Sequence, residues 1–270
     1  MSALPYLFAT LIGVFITPDG IVVGADTAVS NRRGQESTRE KYCVTGPRAV
    51  ATLQGVYELI DTETNATVAL YDGFRELCAE LDRTRLPPTL QGKALFIAEA
   101  LRSSLVDFLD TVPATDVVRR YASSPVVARI AVSGYDDQGP ASVVVGLGVA
   151  TDVKTNRWEA QVQRQSRLTF AACGVRFHGQ DVVLSALRRE TDVRIPRAER
   201  QVRDATRLAA VMRGNCADVS LRSVPTLFRE AVRLTMMLGT GFGIPRGAVN
   251  LPLDIVVIPR AGAIEASRID

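Results

Sequence analysis

The sequence predicts an α+β fold in which two antiparallel sheets stack face to face and helices cover both outer faces, an αββα sandwich. Two observations carry that expectation. Strand-like apolar runs come in two groups of four, with helix-period segments after each group. Neighbouring runs are joined by tight-turn chemistry at Pro18-Asp19-Gly20, Gly46-Pro47 and Asp136-Asp137-Gln138-Gly139-Pro140, so the pairing is antiparallel.

The first group opens with Leu11–Ile16 and Ile21–Val23, two β-branched runs flanking Pro18-Asp19-Gly20. Pro fixes φ and Gly accepts a positive φ, so the runs form a hairpin that Thr10 opens and Asp26 closes. The outer ends of such a hairpin meet, which puts a hydroxyl and a carboxylate at one sheet edge. Thr27–Glu40 is polar and reads as a loop, and Lys41 heads a second hairpin of Tyr42–Thr45 and Ala49–Leu53, stopped at Gly55. Leu70, Phe74, Leu77 and Leu81 then recur at helical spacing, and Leu90, Ile97, Leu101, Leu105 and Phe108 do so beyond Pro87-Pro88. Strand character returns over 126–132, 141–149, 158–163 and 168–173. Helices follow over about 180–188, 204–212 and 221–237, then a closing strand over 253–258 and a polar tail from Ile264.

Of 270 residues 47% are apolar, ample for a sizeable core, and no linker, repeat or low-complexity stretch divides the chain. One domain is therefore expected. A net charge of +3, without basic runs longer than Arg-Arg pairs, argues against a nucleic-acid partner. Only Lys41, Lys93 and Lys154 of the 32 basic residues are lysines, so a lysine in a useful place stands out. One histidine and four cysteines without a Cys-x-x-Cys pair exclude a Cys/His metal cluster. Cys43, Cys78, Cys173 and Cys216 read as reduced, buried thiols of a cytoplasmic protein. The apolar stretch 3–17 lacks a basic leader region and is too short to span a membrane, so it reads as a strand. No membrane partner is expected. Gly239-Thr240-Gly241-Phe242-Gly243 follows a helix rather than a strand and reads as a turn, not a nucleotide loop. His178 is expected at a helix start.

Four features fall into one pattern: Thr10, then Gly20-Ile-Val-Val-Gly-Ala-Asp26, then Lys41, then Ala49-Val-Ala-Thr-Leu-Gln-Gly55. This pattern resembles the proteasome β-subunits and the related bacterial heat-shock peptidase, members of the N-terminal-nucleophile hydrolases. The resemblance implies a threonine-type peptidase or amidase in which Thr10 is the nucleophile, Asp26 and Lys41 its charged partners, and Gly55 an oxyanion donor. Residues 1–9 would be a leader, and cleavage before Thr10 would free the α-amine as base. A threonine hydroxyl is a weak nucleophile that needs such a base, and a nearby ammonium favours its alkoxide. A site of this kind needs neither metal nor cofactor. The resemblance also implies a homo-oligomer acting on a peptide or amide substrate, while no residue names an ATPase partner.

The sequence departs from the family around this core. Ala9, Leu11 and Ile12 stand where glycine and threonines are usual. Cys173-Gly174 replaces a Ser-Gly turn, leaving Cys173 to take over part of the serine's role. The family's Asp-x-x-Ser element is replaced by Arg246–Asp254. An alternative alignment through Gly13 puts Ala9 at the nucleophile position. Two other readings therefore stand beside the peptidase: a catalytically inactive subunit with an assembly role, and a small-molecule amidase.

Overall fold

A computed structural model describes residues 11–30, 36–38, 40–55, 58–60, 67–81, 86–111, 126–152, 157–169, 173–179, 182–189, 205–216, 219–244 and 249–270. Contacts group the chain into two compact units, one of residues 43–168 and the other chiefly of residues 11–42 and 169–270. The fold is α+β, and each unit holds a five-stranded sheet whose pairings are antiparallel where register is defined.

The second unit is built around β1 (Leu11–Thr17) and β2 (Gly20–Asp26), joined by the two-residue turn Pro18-Asp19. Both strands are buried along their whole length, which is why their sequences are continuous apolar runs rather than alternating ones. At the turn, Thr17 Oγ1 accepts from the Gly20 N–H at 3.2 Å and donates to the Gly20 carbonyl at 3.0 Å. The sheet order is β12-β1-β2-β13-β14, with β12 at Gly174–Gly179, β13 at Leu253–Pro259 and β14 at Glu265–Ile269. Three helices pack in this unit: α3 (Val182–Arg189), α4 (Ala205–Met212) and α5 (Val224–Leu238).

Helix α5 meets the sheet at a notch made by two glycines. Gly13 and Gly24 are cross-strand partners, and the Phe228 ring lies over both. A Cβ on Gly24 would sit 2.5 Å from that ring, and one on Gly13 closer still, so larger residues there would displace the helix. Phe228 then stacks on Phe177 at 5.9 Å between centroids, and Phe15 meets Phe177 edge-on at 5.6 Å.

The first unit has the order β11-β10-β9-β6-β5, from β5 (Tyr42–Gly46), β6 (Ala49–Gly55), β9 (Ala128–Asp136), β10 (Gly139–Asp152) and β11 (Arg157–Leu168). Helices α1 (Leu70–Glu80) and α2 (Leu90–Thr111) pack on each other, as the apolar spacing predicts.

The structure corrects several expectations. Thr27–Glu40 contains the short pair β3 (Ala28–Ser30) and β4 (Glu36–Thr38), and a second short pair, β7 (Glu58–Ile60) and β8 (Thr67–Ala69), precedes α1. The strand expected over 168–173 is displaced: β11 runs through Leu168 and β12 starts only at Gly174. His178 therefore lies in a strand, opposite Ile12, and not at a helix start. The polar tail is the edge strand β14, whose exposed side chains carry no apolar signal. Gly239–Phe242 forms a short 3-10 helix. Finally, the cysteines are paired. Cys43 bonds Cys78, with Cα atoms 5.9 Å apart, and Cys173 bonds Cys216, at 6.3 Å. The partners lie 35 and 43 residues apart in sequence, so only the folded chain brings them together.

Candidate active site

The site grows from the open end of the first hairpin. Strand β1 begins at Leu11, β2 ends at Asp26, and the next residue to reach this end is Lys41, just ahead of β5. Asp26 Oδ1 accepts from the Leu11 backbone N–H at 2.6 Å and from Lys41 Nζ at 3.2 Å. Both ionic side chains are 0% exposed. One carboxylate oxygen thus fixes the start of β1 and the lysine together. Its other oxygen, Oδ2, has no hydrogen-bond partner among the described residues, although the nearby Asn250 backbone adds a weak stabilising contribution to the carboxylate.

Burial decides the electrostatics of this pair. Removal from water pushes the Asp26 carboxyl up to about 6, against the opposing pull of the Lys41 ammonium and the Leu11 N–H. Burial likewise lowers the Lys41 ammonium, and Asp26 and then Asp254 oppose it. Burial thus weakens the charged form of both partners, and each is the group that most opposes this in the other.

A second polar layer lies beside the pair. Leu253 is the cross-strand partner of Asp26, and Asp254 is the partner of both Ala25 and Arg268. Asp254 takes a two-pronged contact from Arg268, Nε to Oδ1 at 2.7 Å and Nη2 to Oδ2 at 3.2 Å. Tyr42 next to Lys41 is pushed up to about 12, first by desolvation and then by its hydrogen bond to Glu40. Thr27 donates both its N–H and its hydroxyl to the Pro252 carbonyl, at 3.2 and 2.9 Å, tying the end of β2 to the segment before β13. The sequence reading placed Asp254 in the segment replacing the family motif but gave it no role. A lone carboxylate inside the apolar run Leu253–Pro259 was the available signal.

Asp26 and Lys41 are therefore brought together. Gly55 ends β6 with φ +116°, and a Cβ there would lie 2.5 Å from the Val127 carbonyl oxygen, so the backbone turn requires glycine. Cys173 is half of a disulfide, not the thiol expected in place of the family serine. Thr10 and residues 1–9 lie outside the described residues, as do residues 245–248 of the replaced motif. Among the described residues no group of three or more His, Cys, Asp or Glu side chains is placed to hold a metal.

Comparison with solved structures addresses the fold. The Anbu complex of Pseudomonas aeruginosa, solved as a helical assembly, superposes with a TM-score of 0.55 over 96% of this chain and 86% of that one, at 13% identity. The chain has the proteasome-like fold. Anbu, the ancestral beta-subunit, of Yersinia bercovieri gives 0.53 at 12% identity over 96% and 87%. Anbu of Hyphomicrobium sp. strain MC1 gives 0.51 at 13% identity over 96% and 87%. No family model matches the chain, and no curated protein aligns with it. Likeness at this level of identity speaks for the proteasome-like architecture alone, so any chemistry must be argued from Asp26 and Lys41. No helix among the described residues is long and apolar enough to cross a membrane.

Proposed function

We propose that the chain is a threonine-type N-terminal-nucleophile hydrolase of peptide or other amide bonds, a single catalytic domain over 10–270 matured by cleavage before Thr10. The observation that carries this reading is the convergence of Lys41 Nζ and the Leu11 N–H on one buried oxygen of Asp26. Leu11 is covalently joined to Thr10, so the ammonium is anchored one peptide unit from the residue that would react.

In this mechanism the freed α-amine takes the Thr10 hydroxyl proton as Oγ bonds to the substrate carbonyl carbon. The C–N bond then breaks, the departing amine leaves with that proton, and water cleaves the resulting ester. Lys41 stabilises the alkoxide, and Asp26 orients Lys41. The Gly55 N–H is assigned to the oxyanion, a donor whose loss typically costs ~10²–10³ in rate. The protein acts as a homo-oligomer in this reading.

Intact-mass measurement tests the proposal. The purified chain should lose residues 1–9, Thr10→Ala should keep them, and a probe requiring both a hydroxyl and a free α-amine should label Thr10 only after cleavage. A chain that stays full length on long incubation and resists the probe refutes it. That outcome would favour a second reading, an inactive proteasome-like subunit with an assembly role. One observation already leans that way: the Cys173 sulfur is tied to Cys216, so it offers no thiol in place of the family's serine.

A further inference from the structure

The helices of the two units carry opposite charge. In the β1 unit, Arg188 and Arg189 close α3, Arg207 and Arg213 belong to α4 and its exit, and Arg222, Arg229 and Arg233 lead into and along α5. Over the described residues between 182 and 244 the sole acid is Glu230, which is 5% exposed and engaged by Arg233 Nη1 at 3.1 Å. None of the cations there is a lysine.

Helix α5 is also two-faced. Leu227, Phe228, Ala231 and Leu234 are buried, whereas Arg229, Arg233, Met236 and Met237 follow at i, i+4, i+7 and i+8 along another stripe. Met236 and Met237, at 44% and 40%, are two of the three exposed large hydrophobics among the described residues. Arginine and methionine are enriched in protein interfaces, where lysine is depleted.

Helices α1 and α2 of the other unit show the complement. Asp72, Glu76, Glu80, Glu99, Asp107 and Asp110 are all exposed. Against them stand Arg75, Lys93 and Arg102. Lys93 donates to the Pro87 carbonyl at 2.6 Å, and Arg102 Nε is taken up by Glu99 at 2.5 Å.

We propose that the arginine- and methionine-bearing face of α3–α5 docks on the acidic α1–α2 face of a second copy of this chain. The proposal rests on the homo-oligomer reading and not on the hydrolase chemistry. Opposite potentials steer the encounter, and the two methionines supply the apolar anchor that charge alone lacks. Each copy carries one face of each sign, so every copy can give one face and receive the other. A nucleic acid would satisfy the arginines but would leave the methionines unused.

Sedimentation velocity on the full chain tests this. Wild type should assemble at about 50 mM salt and dissociate toward single chains at about 500 mM, where the Debye length falls to a few ångströms. Arg188→Glu/Arg189→Glu/Arg222→Glu and Glu76→Lys/Asp107→Lys/Asp110→Lys should each be smaller than wild type at low salt. Mixed in equal amounts they should recover assembly, because each supplies the face the other lacks. Met236→Gln/Met237→Gln, with unaltered charge, should weaken assembly at every salt concentration, and circular dichroism should show all variants folded as wild type. Assemblies indifferent to salt and to both charge reversals would overturn the proposal while leaving the homo-oligomer reading standing. A wild type that is a single chain at low salt would overturn both. So would binding to duplex DNA that the Arg188, Arg189 and Arg222 reversals abolish, without self-association.

Discussion

The two five-stranded sheets bury polar groups in different ways. In the β9–β10 pair, Ser133 and Ser142 face each other directly and share a hydroxyl hydrogen bond of 2.9 Å. The nearly covered carboxylate of that unit, Asp136, receives two guanidinium nitrogens of Arg167 at 2.8 Å each, and Arg167 still reaches solvent at 25% exposure. At the end of β2, by contrast, a full ion pair has no exposure at all. A neutral hydroxyl pair is cheap to bury, whereas each buried ion costs several kcal/mol even after relaxation. The β9–β10 arrangement is the cheaper of the two to bury, and the β2 arrangement the more costly. Unfavourable charge burial retained at the mouth of a hairpin is the pattern expected of a working site.

The largest expected break of this contrast is Lys41→Met, which strands Asp26 without its partner. Unfolding by denaturant should show a loss of about 3–5 kcal/mol. A loss below about 1 kcal/mol would place the pair with ordinary surface bridges. Next is Gly24→Ala, which pushes a methyl against Phe228 and should cost about 1–3 kcal/mol. Adding Phe228→Leu should recover part of that cost in a double-mutant cycle, and no coupling between the two would remove the notch from the account. In the other sheet, Ser133→Ala alone leaves a buried hydroxyl unsatisfied and should cost about 1–3 kcal/mol. Changing Ser142 to Ala as well should bring stability back toward wild type.

A further expected effect is a slope with pH. Asp26 is held up to about 6 from an ordinary 3.8, so the native state takes up this proton where the unfolded chain is still ionised. This group alone favours folding more at about pH 4 than at about pH 7, and its contribution fades as pH rises through the window between those two pKa values. Carbon-13 titration of the Asp26 side chain should give a midpoint near 6. A midpoint at or under the ordinary value would make the pair a conventional salt bridge.

Legibility in the sequence followed the range of the interactions. The turn at Pro18-Asp19 and the runs on either side are local, so the first hairpin was readable to within a residue. The Lys41–Asp26 pairing was expected through the family resemblance, because the polar Thr27–Glu40 stretch between the two residues carries no apolar pattern of its own. Strand β14 was not readable, because an exposed edge strand has no buried face to impose alternation. Strand β12 was misplaced because the apolar Leu168–Cys173 stretch outweighed the alternation of Val175 and Phe177, whose burial depends on helix α5. The cysteine pairs depend wholly on tertiary contact, and spacing says nothing of them.

The hydrogen bond from the Leu11 amide to Asp26 has one more consequence. The ladder between β1 and β2 starts at Ile12 opposite Ala25, and the Leu11 amide just ahead of it is moored to a side chain of the neighbouring strand. Every one of those attachments lies downstream of residue 10. These described attachments would stay in place if the chain were severed before Thr10.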